Sequence, residues 1–253
     1  MRQVLVIGIG AGDPDYLTVQ AIDALNRVDV FFVIDKGDAK AELVGLRTAI
    51  CERYIAEPSY RVVAIEDPVR DRSAPAYREA VAEWHDRRTR ICQALIEREL
   101  DDGECGGFLV WGDPMLYDST VRIMHEIAAR SASSFEFEVI PGITSVQALA
   151  AKHRIAINDI GEPVHITTGR KLAVDGLPVE VTNTVVMLDS NCSFTTLVDD
   201  DIHIYWGAYL GTPDEILFSG PLTNDTAAEL KRLHDESRRT KGWIMSTYLL
   251  TRR

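Results

Sequence analysis

The sequence predicts an α/β protein of two domains, a mostly parallel sheet with helices on both faces followed by a smaller mixed α+β domain. Three observations predict it. Short apolar runs alternate with helical stretches through residues 1–157, the pattern of strands joined by crossover helices. Glycine, an acid and proline recur after two of those runs, at the strand ends where open α/β sheets bind ligands. Beyond Pro163 the pattern changes to short strands with only two helix candidates, which reads as antiparallel α+β. Gly161 and Pro163 punctuate 158–163 as a linker, so the expected domains are 1–157 and 164–253.

Taken in order, the first-domain strands are expected over 4–7, 30–34, 61–65, 108–111 and 135–140. The first, second and fourth are continuously apolar, as strands covered on both faces are. Leu17, Ala21, Ile22, Leu25 and Val28 recur at helical spacing between the first two. A charged helix over 77–100 carries Val81, Trp84, Ile91, Leu95 and Ile96. Val121, Ile123, Met124 and Ile127 mark a helix after Ser119, its expected N-cap, and 146–153 a further short one. Second-domain strands are expected over 164–167, 184–188, 202–209, 215–218 and 243–249, with helices near 194–198 and over 225–235.

Composition narrows the function. With 27 basic and 39 acidic side chains the formal charge is −12, which disfavours a non-specific nucleic-acid binder. An anionic small molecule stays compatible, because a local arginine cluster reverses the sign. No apolar run reaches membrane-spanning length, and residues 1–3 lead straight into the first strand without a cleavage site. Cys51, Cys92, Cys105 and Cys192 form no C-x-x-C pair, so reduced buried thiols in a cytoplasmic protein are expected. The six histidines fall in no metal-binding spacing, and no metal site is expected.

Gly8-Ile9-Gly10-Ala11-Gly12-Asp13-Pro14 follows the first strand. A dinucleotide fingerprint would need its last glycine at position 13, where aspartate stands. Asp13 and Pro14 read instead as N-cap and first residue of a helix, and that carboxylate would repel a pyrophosphate. A ligand without phosphate fits better. Gly112-Asp113-Pro114-Met115-Leu116-Tyr117-Asp118-Ser119-Thr120 follows the fourth strand, and Pro141-Gly142-Ile143-Thr144-Ser145 the fifth. The third motif is no nucleophile elbow, since no glycine follows Ser145.

Glycines with Asp-Pro, then Gly-Asp-Pro, then Pro-Gly-Ile-Thr-Ser, in this order, resemble the tetrapyrrole methylase family along the whole chain. The resemblance implies S-adenosylmethionine as cofactor, held between the two domains, with S-adenosylhomocysteine as product. Tyr117-Asp118-Ser119-Thr120, where Gly-Arg commonly follows in uroporphyrinogen methylases, is closer to the precorrin branches. The segments 160–170 and 242–250 resemble the branch that methylates carbon 1 of precorrin-5 with loss of acetate, giving precorrin-6A. Carried over position by position, the implied cofactor contacts are Gly10, Ala11, Asp113, Leu116, Thr144, Ser145, Met187, Leu188 and Leu210. Asp113 is also the candidate base for removing the acetyl group. Arg70, Arg72, Arg170 and Lys171 are candidates to meet the carboxylates of precorrin-5. The oligomeric state is left open, a homodimer among the alternatives. Three rival functions stand beside this one: another precorrin methyltransferase, a nicotinamide oxidoreductase using Gly8, Gly10 and Asp35, and a non-catalytic tetrapyrrole-binding protein.

Overall fold

The computed structural model describes residues 1–35, 41–66, 68, 77–130 and 135–252. It divides into two units, one of Met1–Gly10 with Pro14–Ile143 and one of Ala11–Asp13 with Thr144–Arg253. The first holds five strands, β1 (Arg2–Gly8), β2 (Val30–Asp35), β3 (Arg61–Glu66), β4 (Cys105–Val110) and β5 (Phe135–Ile140). Their order is β3-β2-β4-β1-β5, parallel at every pairing. Each expected strand is present, although Trp111 lies beyond the end of β4.

Side-chain alternation in the central strands builds two apolar layers. Val4, Val6, Val30 and Phe32 face α3 (Tyr77–Glu99) and α4 (Thr120–Arg130), packing with Ile96, Ile123 and Ile127. Leu5, Ile7 and Phe31 face the other way, toward α1 (Val19–Leu25) and α2 (Ala41–Tyr54), with Ala21, Leu25 and Ile50. Helices therefore cover both faces, as the continuous apolar runs of β1, β2 and β4 require. The helix α2 has no counterpart in the sequence reading, because its apolar residues are distributed around the helix and mixed with polar ones, so no single stripe stands out. Asp13 does not cap α1 either: Pro14–Tyr16 forms a separate 3-10 turn, and Thr18 Oγ1 accepts from Ala21 N instead.

The second unit is a mixed sheet, β6-β7-β10-β8-β9, built from β6 (Val164–Thr168), β7 (Asn183–Met187), β8 (Asp199–Ala208), β9 (Ile216–Leu222) and β10 (Ser246–Arg252). All pairings are antiparallel except β6 with β7, which is parallel because a further helix, α6 (Gly169–Asp175), crosses between them. A seven-residue helix begun by Gly169 carries too little periodic signal to be read from sequence. The last helix, α7 (Asn224–Lys241), runs past the expected 225–235. Its exposed face is laced by Lys231–Asp235 and Arg232–Glu236 pairs, and it stops at Gly242 in the left-handed region.

The division of the chain differs from the expected boundary at 157. The helix α5 (Ser145–His153) groups with the second unit, although the loop signals lie after it. Its packing explains why. Gly207 in β8 leaves room for Leu149, whose Cδ1 would lie 2.9 Å from any Cβ there, and His153 Nε2 meets the Trp206 carbonyl at 3.1 Å.

All four cysteines are reduced and buried. Burial pushes the Cys51 and Cys105 thiols up to about 11 and the Cys192 thiol up to about 12. Since the thiolate is the reactive form, the folded protein at pH 8 should resist alkylation by iodoacetamide. Mass spectrometry should find four modified cysteines only after denaturation.

Candidate functional site

In the first sheet, β1 and β4 are neighbours whose following connections leave in opposite directions, a topological switch point. The loops after β1, β4 and β5 meet at this carboxyl edge. Gly10 and Gly112 exchange main-chain hydrogen bonds, Gly10 N to Gly112 O at 3.2 Å and Gly112 N to Gly10 O at 2.8 Å. A Cβ on Gly8 would stand 2.6 Å from Gly142 N, and one on Gly142 would stand 2.1 Å from Gly112 O. Only bare backbone fits between these three loops.

Asp113 secures the arrangement. Its buried carboxylate accepts from Met115 N through Oδ1 and from Gly142 N through Oδ2, both at 2.8 Å. It thus ties the β4 loop to the β5 loop and fixes the turn that carries Leu116. Tyr117 follows with φ +56 and an exposed ring. Asp118 Oδ1 accepts from Thr120 N at 2.6 Å, while Ser119 holds the expected N-cap position, its carbonyl accepting the first helical bond from Ile123 N. The Ser119 hydroxyl accepts instead from Arg88 Nη1 at 3.0 Å.

In the second unit the remaining expected contacts gather at one edge of the mixed sheet. Thr144 is buried and caps α5 in a reciprocal box with Gln147. Ser145 Oγ accepts from Thr247 Oγ1 at 2.8 Å, and Thr247 pairs with Met187 in the sheet. Met187 in turn pairs with Thr168, the residue before Gly169 and Arg170. Leu188 is exposed in left-handed backbone, φ +54, directly after β7. Leu210 is buried after β8, and its carbonyl lies so near Gly12 that a Cβ there would come within 2.4 Å. Glu215 pins this loop, accepting from Gly211 N at 2.8 Å and pairing with Lys152 at 3.1 Å. Ala11, in the same unit, is buried.

Among the expected substrate cations, Arg70 and Arg72 lie outside the described residues. Arg170 is exposed, and Lys171 is exposed and paired with Asp175 at 2.6 Å. Sequence reasoning missed two arginines beside the β4 loop. Arg88 is buried, stacks over the Trp84 ring at 4.7 Å and donates to Ser119. Arg47 on α2 has its pKa lowered by burial, with the Asp118 charge opposing that shift. The four-residue spacing of Trp84 and Arg88 on one helix face was the available signal for Arg88. Thr247 was missed as well, a hydroxyl inside an otherwise ordinary strand. Among the described residues, no group of three histidine, cysteine or acidic side chains could hold a metal, and no helix is long and apolar enough to cross a membrane.

Comparison with known proteins gives the same direction. Residues 3–224 match the family model of the Tetrapyrrole (Corrin/Porphyrin) Methylases. The chain is 47% identical over 250 residues to a Precorrin-6A synthase [deacetylating] from Sinorhizobium sp, covering 99% of this chain and 95% of that one. It superposes on the crystal structure of a cobalamin synthesis related protein (CobF) from Corynebacterium diphtheriae with TM-score 0.85 and 37% identity. That match covers 100% of this chain and 99% of the other. A uroporphyrin-III C-methyltransferase from Thermus thermophilus, complexed with S-adenosylhomocysteine, shares the fold at TM-score 0.57 and 18% identity, covering 98% and 97% of the two chains.

The glycine contact makes a two-sided test. Gly142→Ala should destabilise the protein by about 1–3 kcal/mol through overpacking, because the added methyl meets backbone rather than a movable side chain. Gly45→Ala, in the exposed middle of α2 with nothing within 4 Å, should stabilise by roughly 0.5–1 kcal/mol. Urea unfolding of the two variants should show shifts of opposite sign.

Proposed function

The chain belongs to the tetrapyrrole (corrin/porphyrin) methylases, and from that premise we propose that it methylates carbon 1 of precorrin-5 with release of acetate. The observation that carries this reading is the 47% identity to a precorrin-6A synthase across nearly the whole of both chains. A precorrin-2 C(20)-methyltransferase from Sinorhizobium sp is only 30% identical over 68% of this chain, which ranks that alternative below. The nicotinamide rival loses its support: β4 lies between β2 and β1, unlike the dinucleotide-binding strand order, and position 13 is aspartate.

The residues at the two sheet edges suit an adenosyl amino acid without phosphate. In this reading Gly10, Ala11, Asp113, Leu116, Thr144, Ser145, Met187, Leu188 and Leu210 are the residues assigned to it. Leu116 and Leu188 offer apolar surface to a purine, and the Ser145 hydroxyl offers hydrogen bonds to a ribose. Asp113 supplies a negative group for the ligand's ammonium or hydroxyls. When bound, the cofactor supplies an electrophilic methyl group. The chain's task is then alignment of the substrate's electron-rich carbon behind that methyl. After methylation, water adds to the acetyl carbonyl, the bond from acetyl to ring breaks, and its electron pair enters the conjugated macrocycle. Asp113 is the candidate to take the proton of that water. Arg170, Lys171 and, outside the described residues, Arg70 and Arg72 are assigned to the substrate's carboxylates.

Incubation with S-adenosylmethionine and precorrin-5 should release acetate and S-adenosylhomocysteine one for one. Asp113→Asn should lower kcat/KM roughly 10–100-fold, the ~1.5–3 kcal/mol of a charge-assisted hydrogen bond. If Asp113 only holds the cofactor or the loops tied through Met115 N and Gly142 N, both products fall together; accumulation of methylated but still acetylated product marks it as the base. Methyl transfer to precorrin-2 without acetate would overturn the assignment. Separately, Arg170→Gln should weaken precorrin-5 affinity and flatten its dependence on salt, measured by fluorescence titration.

A further inference from the structure

The residue after Leu188 plays no part in the expected site, yet its carboxylate accepts four hydrogen bonds. Asp189 is buried at 6% exposure. Its Oδ1 accepts from Asn191 N at 3.1 Å and from Ser193 Oγ at 3.0 Å. Its Oδ2 accepts from Ser193 N at 2.6 Å and from the Tyr248 hydroxyl at 2.7 Å. Tyr248 is fully buried in β10, and burial together with the neighbouring carboxylate drives its phenol far above the ordinary range, so it stays a donor. On another side the carboxylate lies against Gly169, where a Cβ would come within 2.3 Å of Asp189 Cγ. One side chain therefore joins the end of β7, the interior of β10 and the first residue of α6.

The turn it holds is strained. Leu188 and Cys192, on either side of Asp189, both have left-handed backbone, φ +54 and +55. Such residues persist where the surroundings over-determine them, and they concentrate at functional sites. Cys192 is buried in the core of the unit, whereas Leu188 is 62% exposed. A large apolar side chain held out in an unfavourable backbone state gains nothing from solvent. A ligand lying over it would bury that apolar surface.

We propose that Asp189 is a positioning residue for the methyl-transfer site, setting Met187 and Leu188 against the cofactor and the Gly169–Arg170 turn against the substrate. The inference rests on the proposed function, which assigns Met187, Leu188 and Arg170 to ligand. Asparagine cannot replace the carboxylate. Each oxygen faces a backbone N–H, of Asn191 or of Ser193, and an amide NH2 in either position would oppose a donor that cannot rotate away. The expected consequence is a turn that loses its fixed form while the reacting groups of the site remain intact.

The experiment begins with wild-type protein and S-adenosylhomocysteine in a calorimeter. Failure of wild type to bind overturns the proposed function, and this inference with it. With wild-type binding established, Asp189→Asn should raise the dissociation constant and the KM for S-adenosylmethionine at least tenfold. The kcat at saturation should stay within threefold. Hydrogen exchange measured by mass spectrometry should quicken in 186–194 and 168–172 and not in the first sheet. Tyr248→Phe, which removes one of the four bonds, should raise the same constants three- to fivefold. A folded Asp189→Asn protein with KM within twofold of wild type overturns the inference alone, and so does a fall in kcat at unchanged KM. Should Asp189→Asn fail to fold, Tyr248→Phe decides: a threefold or greater rise in KM supports the inference, and an unchanged KM overturns it.

Discussion

Three loops in bare backbone contact are the constraint on which the first unit depends. Gly8, Gly112 and Gly142 stand so close that a methyl group on Gly8 or Gly142 would overlap main-chain atoms. Such an approach brings N–H and C=O groups together at a sheet edge where the ladder has ended, and buried groups of this kind need partners. The exchange between Gly10 and Gly112 and the Asp113 bond to Gly142 N provide them. The strand order makes the meeting unavoidable: β4, β1 and β5 are adjacent, so the loops that leave them are adjacent too. The three sequence motifs are one structural joint, read in the order in which the chain visits it.

The second unit solves a related problem with a side chain where the first uses glycines. Asp189 gathers two backbone N–H groups, a serine and a tyrosine around one carboxylate, and Gly169 lets a neighbouring turn close against it. Asp113 does the same on a smaller scale with two N–H groups. In both units a buried acid that accepts two main-chain N–H groups lies within four residues of an exposed left-handed residue, Tyr117 in one and Leu188 in the other. A buried carboxylate left without donors would be costly. The surrounding turns are therefore shaped around the acid, and the exposed residues take their conformation from that shape.

The elements that sequence revealed are those whose burial is continuous or strictly periodic. The strands β1, β2 and β4 are apolar without interruption because helices cover both faces, and α4 shows its stripe through Ile123, Met124 and Ile127. The elements that escaped are short or weakly patterned: α2 mixes apolar and polar residues around its circumference although Ile50 and Cys51 reach the core, and α6 is two turns begun by a glycine. The domain boundary moved for a different reason. Gly161 and Pro163 mark a loop correctly, but a loop is a boundary only if packing changes there, and α5 already packs on β8 through Leu149. At the site, glycine and proline spacing pointed to Gly10 and Asp113. Nothing local to Asp189 announces that Tyr248, fifty-nine positions away, will meet it.

Charge shows how an acidic chain can still serve a polycarboxylate substrate. Several arginines on the long helices are engaged within their own helix, Arg87 with Glu83, Arg90 with Asp86 and Arg232 with Glu229 and Glu236. Exposed pairs of this kind contribute little and are screened by salt. Arg88 is placed otherwise, with its guanidinium over an indole and in contact with the hydroxyl that precedes α4. A cation held out of water acts on nearby anions through a lower effective dielectric than a surface cation does. The same net charge of −12 that repels extended polyanions thus leaves room for local positive potential, set by which arginines the fold withdraws from solvent rather than by how many the sequence contains.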